Sequence, residues 1–174
     1  QTVFIDPLSS QFNLTIIGGG HCGEALSELA TRCGFSVTVI DNREECATLH
    51  RHPFASHIIC SPYSDVGQHI QFSKKTYIVI MTQGHKADDT VLRQVLGKEY
   101  CYLGVIGSRK KTATLLEGLI KDGFSRDEVT KIFSPIGLPI GSQTATEVAV
   151  SIAAQLIAVR KGMREIKFNS NPML

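Results

Sequence analysis

The stretch Thr15-Ile16-Ile17-Gly18-Gly19-Gly20-His21-Cys22-Gly23 sets a G-x-G-x-x-G pattern directly after an apolar run and directly before a helical one. That order is the sequence form of a strand, a tight turn and a helix whose N-terminus can face an anion. Gly18 permits the turn, Gly20 leaves room for a diphosphate to approach the backbone, and Gly23 lets the helix pack close to the strand. The first-turn amides have no acceptors within their helix and can bind a phosphate. A glycine fingerprint alone is weak. Here a second apolar run, Ser36-Val37-Thr38-Val39-Ile40, ends in Asp41, at the spacing of an acid that accepts a ribose hydroxyl. Strand, helix, second strand and acid together read as a nucleotide-binding unit.

Outward from this unit, apolar runs of strand length recur at 14–17, 37–40, 57–60, 77–81 and 102–106, with helical patterns between most of them. The alternation predicts an α/β fold: a doubly wound, Rossmann-like parallel sheet in three α/β/α layers. Helices are expected over 21–33, 44–49, 88–96 and 110–121, the last stopped by Gly123. Ser125-Arg126-Asp127-Glu128 and Thr144-Ala145-Thr146-Glu147 both read as capping boxes, for a small helix and for a long one reaching Lys161. The long helix carries a stripe of Val148, Ile152, Leu156 and Val159, with Ala149, Ala153 and Ala154 permitting close packing. Between the two lies Phe133-Ser134-Pro135-Ile136-Gly137-Leu138-Pro139-Ile140-Gly141, expected as a buried crossover loop.

With 174 residues, 43% hydrophobic and 20% charged, the chain supports one domain with a real core. Residues 13–163 form that domain; 1–12 read as a linker or an edge strand at Val3-Phe4-Ile5, and 164–174 as an extended tail. The start at Gln1 reads as a cut from a longer protein. A net charge of +2 gives no basic face for nucleic acid. No apolar run approaches the roughly 20 residues of a membrane span. The five cysteines form no C-x-x-C pair, which suits a reducing cytoplasmic setting and small buried side chains. Cys22 stands at a helix N-terminus, where the dipole would lower a thiol pKa, but no Cys, Lys or acid close in sequence completes a reactive pair, and packing is its expected role.

In a doubly wound sheet the first and fourth strands are neighbours, and ligands sit beyond the carboxyl ends at that switch point. The candidate cofactor-binding residues are therefore Gly18, Gly20, His21, Gly23 and Asp41, then Thr82, His85 and Asp88, then Gly107, Ser108, Arg109 and Lys110. His21 either caps its helix or contacts a ligand, and His85 is either a ligand contact or a solvated helix start. A metal would need His21, His85 and Asp88 together. Cations in Ser108-Arg109-Lys110-Lys111 oppose the dipole of the helix they open, at roughly 0.3–1 kcal/mol each, and a bound phosphate would offset them. No catalytic constellation is legible.

These residues resemble the C-terminal Rossmann domain of the XdhC/CoxI family, the xanthine dehydrogenase accessory factors. The match lies in Val3-Phe4-Ile5-Asp6-Pro7, Ile17 to Gly23, Thr82-Gln83-Gly84-His85 with Asp88, Leu103 to Lys111, and Ser134 to Gly141 running into 144–152. Gln83 stands where the family usually has histidine, Gly19 where alanine is common, and Ala145 where proline is common. The resemblance implies a carrier rather than a catalyst. It would bind the molybdenum cofactor, as molybdopterin or its dinucleotide, and deliver it to a molybdenum hydroxylase apo-enzyme after sulfuration by a cysteine desulfurase. A homodimer is an expected state. The sequence leaves two other readings open: an NAD(P)-dependent oxidoreductase and a nucleotide-sensing interaction module.

Overall fold

A computed structural model describes residues 12–163. Five strands, β1 (Phe12–Ile17), β2 (Phe35–Asp41), β3 (His57–Cys60), β4 (Thr76–Ile80) and β5 (Tyr102–Val105), form one all-parallel sheet in the order β3-β2-β1-β4-β5. The first and fourth strands are neighbours, with Ile16 of β1 opposite Val39 on one side and Val79 on the other. Of the linker or edge strand expected over 1–12, Phe12 instead opens β1, and residues 1–11, like the tail expected over 164–174, lie outside the described residues.

The central strands are largely apolar because both of their faces are covered, whereas the edge strand β3 is only partly buried. Alternate side chains sort into two cores. Leu14, Ile16, Val37, Val39, Tyr77 and Val79 pack beneath α1 (His21–Arg32) and the last helix, which follows below. Ile17, Ile40, Ile78, Ile80, Leu103 and Val105 pack beneath α2 (His85–Val95), α3 (Arg109–Lys121) and the short α4 (Arg126–Val129). A 3-10 segment, Tyr63–His69, joins this second layer through Val66. Helix α5 (Ala145–Arg160) lies against α1; Ile152 and Leu156 are fully buried, while Val148 and Val159 flank the core only partly buried. The Thr144 box forms, the hydroxyl accepting from the Glu147 amide at 3.2 Å and the Glu147 carboxylate from the Thr144 amide at 3.0 Å. No described helix is long and apolar enough to cross a membrane.

Three expectations are corrected. Residues 44–49 form turns rather than a helix, because the segment has no apolar stripe and is tied down through its backbone: the Cys46 carbonyl lies 3.0 Å from Nε2 of the fully buried His52. Ser125 opens α4 without a side-chain cap; its carbonyl takes the Glu128 and Val129 amides at 3.1 and 3.0 Å instead. The loop after α4 is only half-buried. It runs beside the β5 edge, with Phe133 N donating to Leu103 O at 2.9 Å and Ile136 N to Val105 O at 3.1 Å. Helix α5 holds it from the other side: Gln155 Oε1 accepts from Tyr102 Oη at 2.6 Å and from Gly137 N at 2.9 Å. An otherwise open sheet edge is thereby covered.

Candidate functional site

The glycine turn divides its labour as its spacing implies. Gly18, at φ +115°, sits where a Cβ would collide with the Met81 carbonyl oxygen, and its amide donates to Ile40 O at 2.8 Å. A Cβ on Gly23 would collide with the Gly18 carbonyl oxygen, so this residue sets the approach of α1 to β1. Gly20 differs from both. It is the N-cap of α1, in extended conformation with no side-chain cap, and the one described atom near its missing Cβ is Arg43 Nη2 at 3.8 Å. The amide end of α1 is open at this point. Gly19 is more confined than its neighbours in sequence suggest, since a Cβ there would lie 2.8 Å from Cys46 O and 2.9 Å from His52 Nε2. Ser27 Oγ lies 3.0 Å from His52 Nδ1, and burial lowers the pKa of this ring, which props the turn from beneath.

Asp41 reaches the turn but not its open face. It is 0% exposed. Its Oδ2 accepts from Gly19 N at 2.7 Å and Arg43 Nη2 at 2.8 Å; its Oδ1 accepts from Arg43 N and Arg43 Nε, both at 2.9 Å. A carboxylate offers about four lone-pair positions, and all are taken. Burial by itself would raise the Asp41 pKa, but the Arg43 guanidinium and the Arg43 and Gly19 amides outweigh it and hold the carboxyl below its ordinary value. The expected ribose acceptor is thus a buried tie between β2 and the turn.

Thr82 and Asp88 are likewise turned inward. The Thr82 hydroxyl donates to Asp88 Oδ1 at 2.6 Å, and Asp88 is 4% exposed, with its pKa raised by burial and only partly offset by that bond. The pair ties the end of β4 to α2. Cys22 packs half-buried against the core, as expected, and burial raises its pKa. Among the described residues no group of three His, Cys, Asp or Glu side chains is placed to hold a metal, so His21, His85 and Asp88 do not form a ligand set.

Of the remaining candidates, the exposed His21, His85 and Lys110 and the half-buried Gly107 line separate clefts around the carboxyl ends. His21 lines one of about 350 Å³ with Glu24, His50 and Arg51. His85, Lys110 and Lys111 line another of about 460 Å³ between the N-termini of α2 and α3. Gln83, Gly84 and His85 face Asn42 and Tyr63 across a third of about 510 Å³. Gly107, at φ +153°, lines a fourth of about 290 Å³ with Leu138 and Ser151. Ser108 caps α3, its hydroxyl accepting the Lys111 amide at 3.4 Å. Lys86, Arg109, Lys110 and Lys111 form no ion pair with a described residue.

The strand order and the open glycine turn at the switch point define a doubly wound, Rossmann-like α/β domain. Its family is narrower than that class. The family model described as the XdhC Rossmann domain matches residues 14–156, and the chain belongs to that family. It is 30% identical over 159 residues to a probable xanthine dehydrogenase subunit of Bacillus subtilis (strain 168), covering 91% of this chain and 46% of that protein. It is 27% identical over 95 residues to the molybdenum cofactor insertion chaperone PaoD of Escherichia coli (strain K12), covering 55% and 30%. Among solved structures, a xanthine dehydrogenase from Bacillus halodurans superposes with a TM-score of 0.78 at 31% identity, covering 93% of this chain and 45% of that one. The chain spans less than half the length of these relatives.

Proposed function

We propose that the chain is the cofactor-handling domain of a xanthine dehydrogenase accessory factor, holding the molybdenum cofactor and passing it to a molybdenum hydroxylase. The observation behind this reading is the open face at Gly20, where uncapped α1 amides meet the Arg43 guanidinium. Such a place suits a phosphate, which the cofactor carries at the end of its pterin. The residues therefore fit the anionic end of the group. Gly20 and the first amides of α1 would hold the phosphate, Arg43 would neutralise it, and His21 would flank the ligand. The cofactor, when bound, supplies the molybdenum chemistry that the client enzyme uses. Exchange with a cysteine desulfurase for sulfuration, and assembly as a homodimer, belong to the same proposal.

The test is reconstitution. The full-length protein, loaded with molybdopterin, should raise the active fraction of an apo-hydroxylase several-fold without oxidising purines itself. Purine oxidation or NAD⁺ reduction by the purified protein alone at an enzyme-like rate would overturn the carrier reading in favour of an oxidoreductase.

Arg109, Lys110 and Lys111 extend the basic rim, and a phosphate there would relieve their opposition to the α3 dipole. Sulfate or phosphate should then raise the melting temperature by mass action, and Arg109→Ala should shrink that rise more than Lys121→Ala at the far end of α3. Equal responses in a thermal melt would reduce the effect to general screening.

A further inference from the structure

Resting on the reading above, we infer that Arg43 is the residue that selects the ligand, and that it selects a phosphate monoester over an unsubstituted ribose diol. Sugar recognition at the end of a second strand normally uses a carboxylate with free lone pairs to accept the hydroxyls. Asp41 has none to offer: it is fully buried, and its four acceptor positions go to Gly19 N, Arg43 N, Arg43 Nε and Arg43 Nη2 at 2.7–2.9 Å. A diol placed here would meet a closed acceptor.

The same ion pair aims the cation at the ligand. Arg43 Nη2 lies 3.8 Å from the position above Gly20, so the guanidinium leans over the open side of the turn. It is held rigidly, because Nε and Nη2 both bond Asp41, yet its side chain keeps 25% exposure. Guanidinium has five N–H donors, two of which are used on Asp41. Nη1 donates to no described acceptor. A fixed guanidinium with donors to spare, beside a carboxylate with no free acceptor, suits a group rich in acceptor oxygens. A dianionic monoester is that group, whether the terminal phosphate of molybdopterin or the 2′-phosphate of NADP⁺.

Two ligand pairs, titrated calorimetrically into the full chain, test this and separate the sources. NADP⁺ and NAD⁺ differ by the 2′-phosphate; molybdopterin and its cytosine dinucleotide differ by whether the pterin phosphate is a monoester. The monoester member of at least one pair should bind the parent about tenfold tighter or more, the gain expected for a charge-assisted contact. A preference confined to one pair names the source. Arg43→Gln should bring that ratio close to one by weakening the monoester member. Because this variant exposes Asp41 to an incomplete set of partners, Arg43→Lys is the second probe; it keeps the charge without the fork and should retain only part of the preference. Equal binding within both pairs by the parent would overturn the selection while leaving the glycine turn as a cofactor site. A preference that survives Arg43→Gln would move selection to another residue. Failure of all four ligands to bind would overturn both this inference and the cofactor-handling reading.

Discussion

Replacing Asp41 by alanine is expected to destabilise the fold by about 2–4 kcal/mol, a large share of the stability of a domain this size. The variant strips a partner from the buried Gly19 amide and from three donors of Arg43 at once. Asp41→Asn is the sharper version. It keeps the shape, but its NH₂ group must then face either the Gly19 amide or the Arg43 donors, and a donor facing a donor cannot bond. Denaturant unfolding should therefore place both variants well below the parent without any ligand present. Parent-like midpoints in both would mean that Asp41 is idle until a ligand arrives, as its spacing from the glycine turn first suggests. The pH dependence follows from the sign of the shift. The folded carboxyl titrates below its ordinary value of 3.8, so its contribution is complete above about that pH and is lost as pH falls through the lowered folded value. The gap between parent and Asp41→Asn should thus stay constant from neutral pH down to about pH 5 and close only in stronger acid.

Asp41 also marks where sequence reading stops. The central strands were legible because both of their faces are buried and they read as largely apolar runs; Ile16, Val39 and Val79 could hardly sit elsewhere. Gly18 and Gly23 were legible because close approach and helix packing each demand the absence of a Cβ at a fixed offset, whereas the fold itself has room for one at Gly20. The direction in which a polar side chain turns was not legible. Asp41, Thr82 and Asp88 stand at strand ends and a helix start, as ligand residues do, yet partners supplied by folding claim all three. Arg43 lies only two residues past Asp41, and an arginine so close to a strand-end acid was the available hint that the acid is occupied. His52 left no hint: its partners Ser27 and Cys46 come together only when the segment after β2 folds back onto α1. The Ser125 box failed for a related reason, since a helix as short as α4 is placed by packing at Val129 more than by its cap.

Valine placed at Gly20 and at Gly23 should separate function from folding. At Gly20 the backbone is already extended, a conformation that a β-branched residue adopts readily, and the nearest described atom is the movable end of Arg43 at 3.8 Å. The domain should therefore keep its circular dichroism and lose only about 1 kcal/mol through the poorer cap. The valine methyls would stand where the phosphate must approach the α1 amides, so binding of molybdopterin should fall below detection. At Gly23 the same side chain would be driven into the Gly18 carbonyl oxygen, a backbone atom that can yield only if α1 lifts from β1. That displacement breaks the packing of Leu26 and Ala30 against the sheet and should cost at least about 3 kcal/mol, leaving little folded protein to titrate. A Gly20→Val protein that binds molybdopterin like the parent would show that the phosphate does not cross the glycine turn. The ligand would then have to be sought beyond α3, where Arg109 and Lys110 stand exposed and unpaired among the described residues.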